Sequence, residues 1–191
     1  MATLTNTPVT PERIMQFAWG YVPPLVLEAA IRHRVFDTLD GGPKTIQELH
    51  KGTGGSERGL IAITNALVGL NFLDKDPQGR LSLTPEGAAF LVSTKPGFYG
   101  GLIRHCSEQL IPQWLRLNEI VETGRPTTGV NQQAPGSKFF EQFVCDIFPM
   151  SYRAAQTLAR HLDFNSAEQV IRVLDLAAGS GVWGIAPGPG L

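Results

Sequence analysis

Cysteine is scarce in this 191-residue chain: Cys106 and Cys145 are its only two thiols. Two lone cysteines make neither a disulfide framework nor a metal-ligand spacing. No metal centre is expected, and the thiol usage is that of a reduced, cytoplasmic protein. An excess of one charge is lacking too. Lys and Arg number 16, Asp and Glu 17, for a formal charge of −1. Bulk electrostatics therefore favours neither nucleic acid nor an anionic membrane. A basic-then-apolar leader is missing, and no apolar run looks long enough to span a bilayer, so no membrane partner is expected. There is no internal repeat and no low-complexity tract. What remains is an apolar fraction of 42%, enough for a packed core in one large or two small domains.

Residues 1–10 are small and polar and read as a flexible arm. A helix is expected after Thr10-Pro11-Glu12, with Ile14, Phe17, Ala18 and Tyr21 at helical spacing. Pro23-Pro24 should kink or break it. Leu27, Ile31, Val35, Phe36 and Leu39 continue the stripe up to Gly41-Gly42-Pro43. Thr45-Ile46-Gln47-Glu48 is a capping box. Ser56 can cap the next helix, whose core side carries Leu60, Ile63, Leu67 and Leu70, with Asn71 suited to its end. Phe72–Asp74 and Arg80–Leu83 read as strands around the turn Asp76-Pro77-Gln78-Gly79. Thr84-Pro85-Glu86 starts one more helical turn.

Helix, short helix, helix, hairpin is the order of a winged helix. In a DNA reader the third helix enters the major groove with basic and amide side chains. Here it offers only Arg58 and Asn65. From Lys44 to Thr84 five bases face four acids, which is no phosphate-binding surface. No nucleic-acid partner is expected.

A long helix is expected over 99–123, kinked at Pro112, with Leu102, Ile103, Cys106, Leu110, Trp114, Leu117 and Val121 near one face. His105 has no identifiable partner in the sequence and reads as a partly buried or surface histidine. After a Gly/Pro/Asn/Gln loop, another helix begins at Ser137. Phe143, Ile147 and Ser151 are spaced by four and fall on one face if Pro149 does not interrupt it. Plain core packing explains the two apolar residues equally well, and Ser151 could be a cap.

Val170 to Leu176 is apolar except for Arg172 and Asp175 and reads as a short buried strand. Asp175-x-Ala177-x-Gly179-Ser180-Gly181 follows, then an apolar helix start. Such a turn lets backbone N–H groups and a helix N-terminus face a ligand. Gly179-x-Gly181-x-x-Gly184 also fits a dinucleotide fingerprint, but an acid four residues before the first glycine suits another cofactor better.

The motif resembles the acidic-x-Gly-x-Gly-x-Gly loop of class I S-adenosylmethionine-dependent methyltransferases, with Ala177 in place of a glycine. "FAWGYVPPLVLEAAIRHRVFDTLDGGPKTIQEL" and "LVGLNFLDKDPQGRLSLTPEGAAFL" resemble the N-terminal dimerisation domain of plant- and bacterial-type small-molecule O-methyltransferases. The resemblance covers roughly residues 12–186. It implies a homodimer, a small-molecule acceptor and S-adenosylmethionine as cofactor. It implies cofactor contacts at Asp175, Ala177, Gly179, Ser180, Gly181 and Ser151. It places Phe143 and Ile147 on the acceptor, Ile147 standing where the family has Met, with Met150 beside them.

The fold class expected is mainly α: a winged-helix dimerisation domain over 11–98, a helical connector over 99–165, and the first strand and glycine loop of a truncated Rossmann-like domain over 166–191. No catalytic residue is assigned. The family's second-strand acid and late general base have no counterpart, and none of His33, His50, His105 or His161 has that context. The expectation is a methyltransferase family chain that is inactive as it stands. The alternatives are a non-catalytic dimerising interaction module and a winged-helix regulator.

Overall fold

The computed structural model describes residues 9–127, 138–162, 172, 174–176 and 178–185. Two short helices open it, α1 (Glu12–Ala18) and α2 (Val22–Arg32). The break between them falls at Trp19–Tyr21, not at Pro23-Pro24. Both prolines sit in the first turn of α2, where an absent N–H has no partner to lose. Arg34 then takes a left-handed conformation (φ 56°), which separates α2 from α3 (Val35–Leu39).

Thr45 closes its capping box as the spacing predicts. The Glu48 N–H donates to Thr45 Oγ1 (3.3 Å), and the Thr45 N–H to Glu48 Oε2 (2.7 Å). This starts α4 (Ile46–Thr53), which ends on left-handed Gly54. Ser56 Oγ accepts from the Gly59 N–H to start α5 (Glu57–Gly69). Asn71 takes φ 60° beyond its end. Strands β1 (Leu73–Lys75) and β2 (Leu81–Leu83) pair antiparallel, Leu73 opposite Leu83. Asp76 Oδ1 holds their turn by accepting from the Gln78 and Arg80 N–H groups. Thr84 caps α6 (Pro85–Phe90). The winged helix closes over Leu27, Phe36, Leu39, Leu49, Leu60, Leu67, Leu73 and Leu81, all buried.

The helix expected over 99–123 is divided. α7 (Gly100–His105) runs into a π-helical turn, Cys106–Leu110, and then α8 (Ile111–Trp114). The Ile111 N–H reaches back to the Cys106 carbonyl, one residue further than in an α-helix. Widening here accommodates Pro112, whose ring would otherwise strike the preceding turn. Leu115 and Arg116 then break the chain before α9 (Leu117–Thr123). A single helix, α10 (Lys138–Leu162), carries Pro149 inside it without interruption. A last short helix is α11 (Val182–Ile185).

Of the strand expected over Val170–Leu176, only residues 172 and 174–176 are described, and none of these four is in a strand. Among the described residues β1 and β2 are the only strands, and Leu174 and Leu176 are 82% and 80% exposed. A parallel strand holds its shape only between neighbours in a covered sheet, and no described segment offers one.

Large apolar side chains stand in solvent on α1 and α2 (Ile14, Phe17, Leu25) and on α8 and α9 (Trp114, Val121). Glu12–Arg32 is, by length and composition alone, long and apolar enough to cross a membrane (21 residues, mean hydropathy 1.2). That corrects the expectation that no run reached this length. The interruption at Trp19–Tyr21 divides the stretch.

Candidate functional site

α10 is the element on which the site residues meet. One of its stripes, Asp146, Pro149 and Arg153, faces the N-terminal body. Arg104 Nη2 on α7 donates to Asp146 Oδ1 (2.7 Å), with the Asp146 side chain only 5% exposed. A buried carboxylate of this kind is tolerated because its charge is paired. Gly101 permits the approach: a Cβ there would stand 2.5 Å from Asp146 Oδ1 and 2.8 Å from its Cα. Tyr99 Oη donates to the Pro149 carbonyl (3.4 Å), and the Arg153 guanidinium lies 5.3 Å from the Phe90 ring centre.

Phe143, Ile147 and Ser151 form an adjacent stripe, as the spacing of four predicts, and all three are half-buried. Because α10 is continuous, Ser151 is a mid-helix residue and caps nothing. Met150 lies off the stripe and is 49% exposed. Phe143 packs its ring 4.9 Å from that of His105. Four residues beyond Ser151 the stripe continues to Ala155, which is buried. The short helix α11 also packs on α10, with Val182 buried. α10 thus bears Phe143 and also meets the helix that follows the glycine turn.

Gly179 and Gly181 adopt φ 57° and 70°, the left-handed region open to glycine. The Gly181 N–H donates to the Ala178 carbonyl (2.8 Å), and the Gly181 carbonyl accepts from the N–H groups of Gly184 and Ile185. Ser180 is half-buried in this turn. Ala177 lies outside the described residues. Asp175 Oδ2 is buried and has no hydrogen-bond partner among the described residues. Gly184 sits close by: a Cβ on it would lie 3.7 Å from that oxygen. A buried carboxylate oxygen without a donor is costly. An orphaned acceptor beside a left-handed glycine turn fits a ligand that brings a donor or a positive charge, such as the amino-acid end of S-adenosylmethionine. Asp175, Gly179, Ser180, Gly181 and Ser151 are the residues that would hold it.

Sequence reasoning missed two residues here. Asp146 was hidden because its partner lies 42 positions away. His105 was set aside for want of a partner, yet Gln109 stands one helical turn on and bonds its Nδ1 (2.5 Å). The spacing of four was the available signal. On α5, Arg58 and Asn65 are both exposed.

Residues 15–93 match the O-methyltransferase dimerisation domain family. Comparisons with known proteins support the O-methyltransferase class. The chain is 28% identical to the 3-hydroxy-5-methyl-1-naphthoate 3-O-methyltransferase of Streptomyces sahachiroi, over 90% of this chain and 50% of that enzyme. A crystal structure of a candidate O-methyltransferase from Nostoc punctiforme superposes with a TM-score of 0.77 at 26% identity, covering 94% of this chain and 54% of that one. Human N-acetylserotonin methyltransferase, solved in complex with SAM, shares the fold at 19% identity and TM-score 0.66, over 82% of this chain and 50% of that one. The chain spans about half the length of each.

Proposed function

We propose that the protein transfers a methyl group from S-adenosylmethionine to a hydroxyl of a small aromatic molecule. In this reading the chain supplies the dimerisation body over 11–98, a connector over 99–165 that bears one acceptor wall, and the first cofactor turn within 166–191. Asp175, Ala177, Gly179, Ser180, Gly181 and Ser151 hold the cofactor. Phe143, Ile147 and Met150 line the acceptor. The bound cofactor supplies a methyl group on a positively charged sulfur. The chain's part is to fix donor and acceptor in line, which is worth several orders of magnitude in rate.

The observation that carries this reading is the orphaned Asp175 Oδ2 beside the glycine turn that precedes α11. It is supported by the naphthoate hydroxyl that the Streptomyces sahachiroi relative is named for. Exposed Ile14, Phe17, Trp114 and Val121 support a homodimer, since lasting interfaces are large and apolar. Light scattering that finds only monomer at micromolar concentration overturns that part.

By itself this chain is proposed to bind the cofactor weakly and not to turn over. Leu174 and Leu176 stand exposed, and no strand among the described residues pairs beside Asp175 to preorganise it. Calorimetric titration with S-adenosylmethionine tests the reading, paired with a methyl-transfer assay over phenols and hydroxylated polyketides. The expected result is weak binding that Asp175→Ala removes, and no turnover. Equal binding by wild type and Asp175→Ala overturns the cofactor assignment. Turnover by this chain alone overturns its inactivity.

A further inference from the structure

The π-helical turn at Cys106–Leu110 follows directly on His105. Such turns recur at functional sites, because the widened ladder re-aims the side chains beside it. The neighbouring charged groups are engaged elsewhere. Arg104 donates to Asp146, and Glu108 accepts from Arg32 (2.6 Å). The half-buried imidazole lies 4.9 Å from the Phe143 ring at a tilt of 55°, with Nδ1 at 2.5 Å from Gln109 Oε1. An amide oxygen only accepts, so in the neutral ring a proton on Nδ1 satisfies Gln109 and makes Nε2 the acceptor. Nε2 makes no hydrogen bond among the described residues.

An aromatic ring beside a fixed hydrogen-bond acceptor recognises a flat apolar molecule that carries a donor. We infer that His105 belongs to the acceptor site, its Nε2 accepting a hydrogen bond from the hydroxyl of an aromatic acceptor seated against Phe143. This rests on the reading of Phe143 as acceptor wall. It adds a selectivity to it. A phenol donates to Nε2, whereas a methyl ether has no proton to donate and leaves Nε2 unsatisfied. The site therefore holds unmethylated acceptor more tightly than methylated product.

The test uses this chain with 2-naphthol and 2-methoxynaphthalene as probes. Long-range proton–nitrogen NMR of the imidazoles reads the tautomer, and titration reads the affinities. The expected tautomer of neutral His105 is Nδ1–H. 2-Naphthol should shift the Nε2 resonance and bind about tenfold more tightly than its methyl ether, the scale of one lost hydrogen bond. His105→Phe keeps a ring against Phe143 and should bind both probes alike, near the ether's affinity. An Nε2–H tautomer overturns the inference. So does equal affinity for the two probes in wild type, an undiminished preference in His105→Phe, or no binding of 2-naphthol at all. The Asp175→Ala cofactor titration is independent of these outcomes and shows whether the wider reading fails with them.

Discussion

Leu73 and Leu81 in the wing are 1% exposed, while Leu174 and Leu176 beside Asp175 are 82% and 80% exposed. Both pairs sit in short apolar stretches that read as strands. The wing's two strands are three residues each, yet Leu73 and Leu81 are buried because the Asp76 turn returns β2 directly onto β1, with α5 packed on β1 and α3 and α6 on β2. The stretch at Asp175 has no such neighbour among the described residues. An apolar run thus states a need for burial, and only a partner meets it.

The largest expected effect breaks the well-packed side of that comparison. Phe36→Ala removes a side chain that is 1% exposed at the centre of the body, and should cost about 3–5 kcal/mol in urea unfolding. Leu176→Ser, made on an exposed side chain, should change stability by no more than about 0.5 kcal/mol. Equal losses for the two variants would erase the distinction between the regions.

Gly101→Val tests how the regions are joined. The new Cβ would fall inside contact distance of Asp146 Oδ1 and Cα. Overpacking of this kind costs about 1–3 kcal/mol. Hydrogen exchange should quicken along α10 while the amides of β1 and β2 keep their protection. Protection lost evenly over both would mean that α10 is not a separately docked element.

The smallest effect sharpens the local side. Thr45→Ala removes the α4 cap and should cost about 1 kcal/mol. The Thr45 N–H, and then its hydroxyl, donate to Glu48 and hold that carboxyl below the usual carboxylate range. A depressed carboxyl contributes stability above its unfolded pKa, about 4.3. That contribution fades as the pH falls through the folded value. The gap between wild type and Thr45→Ala should therefore be wider at pH 7 than at pH 3. A gap that widens in acid would show that Glu48 is not held by this cap.

Much of the body was legible residue by residue. Thr45 with Glu48, Ser56 with Gly59, Thr84 with Gly87 and Asp76 with Arg80 all bond within four positions. Asn71 takes the left-handed conformation its place after α5 suggested. The helical repeat likewise set Phe143, Ile147 and Ser151 on one stripe. Other features were not legible. Pro23-Pro24 drew attention to the wrong break, and nothing local marks Arg34 as the break between α2 and α3. Pro112 promised a kink, and the chain answered with a widened turn and a later break at Leu115–Arg116.

The amino-acid sequence by itself determined the caps, the wing and the phase of each helix face, because those bonds close within a turn or two of the chain. The tertiary structure alone decided which way α10 faces, through Gly101 and the Arg104–Asp146 pair. It alone set His105 against Phe143 and, among the described residues, gave Asp175 no sheet neighbour. Each of these depends on whether a distant segment arrives, and sequence periodicity says nothing about that.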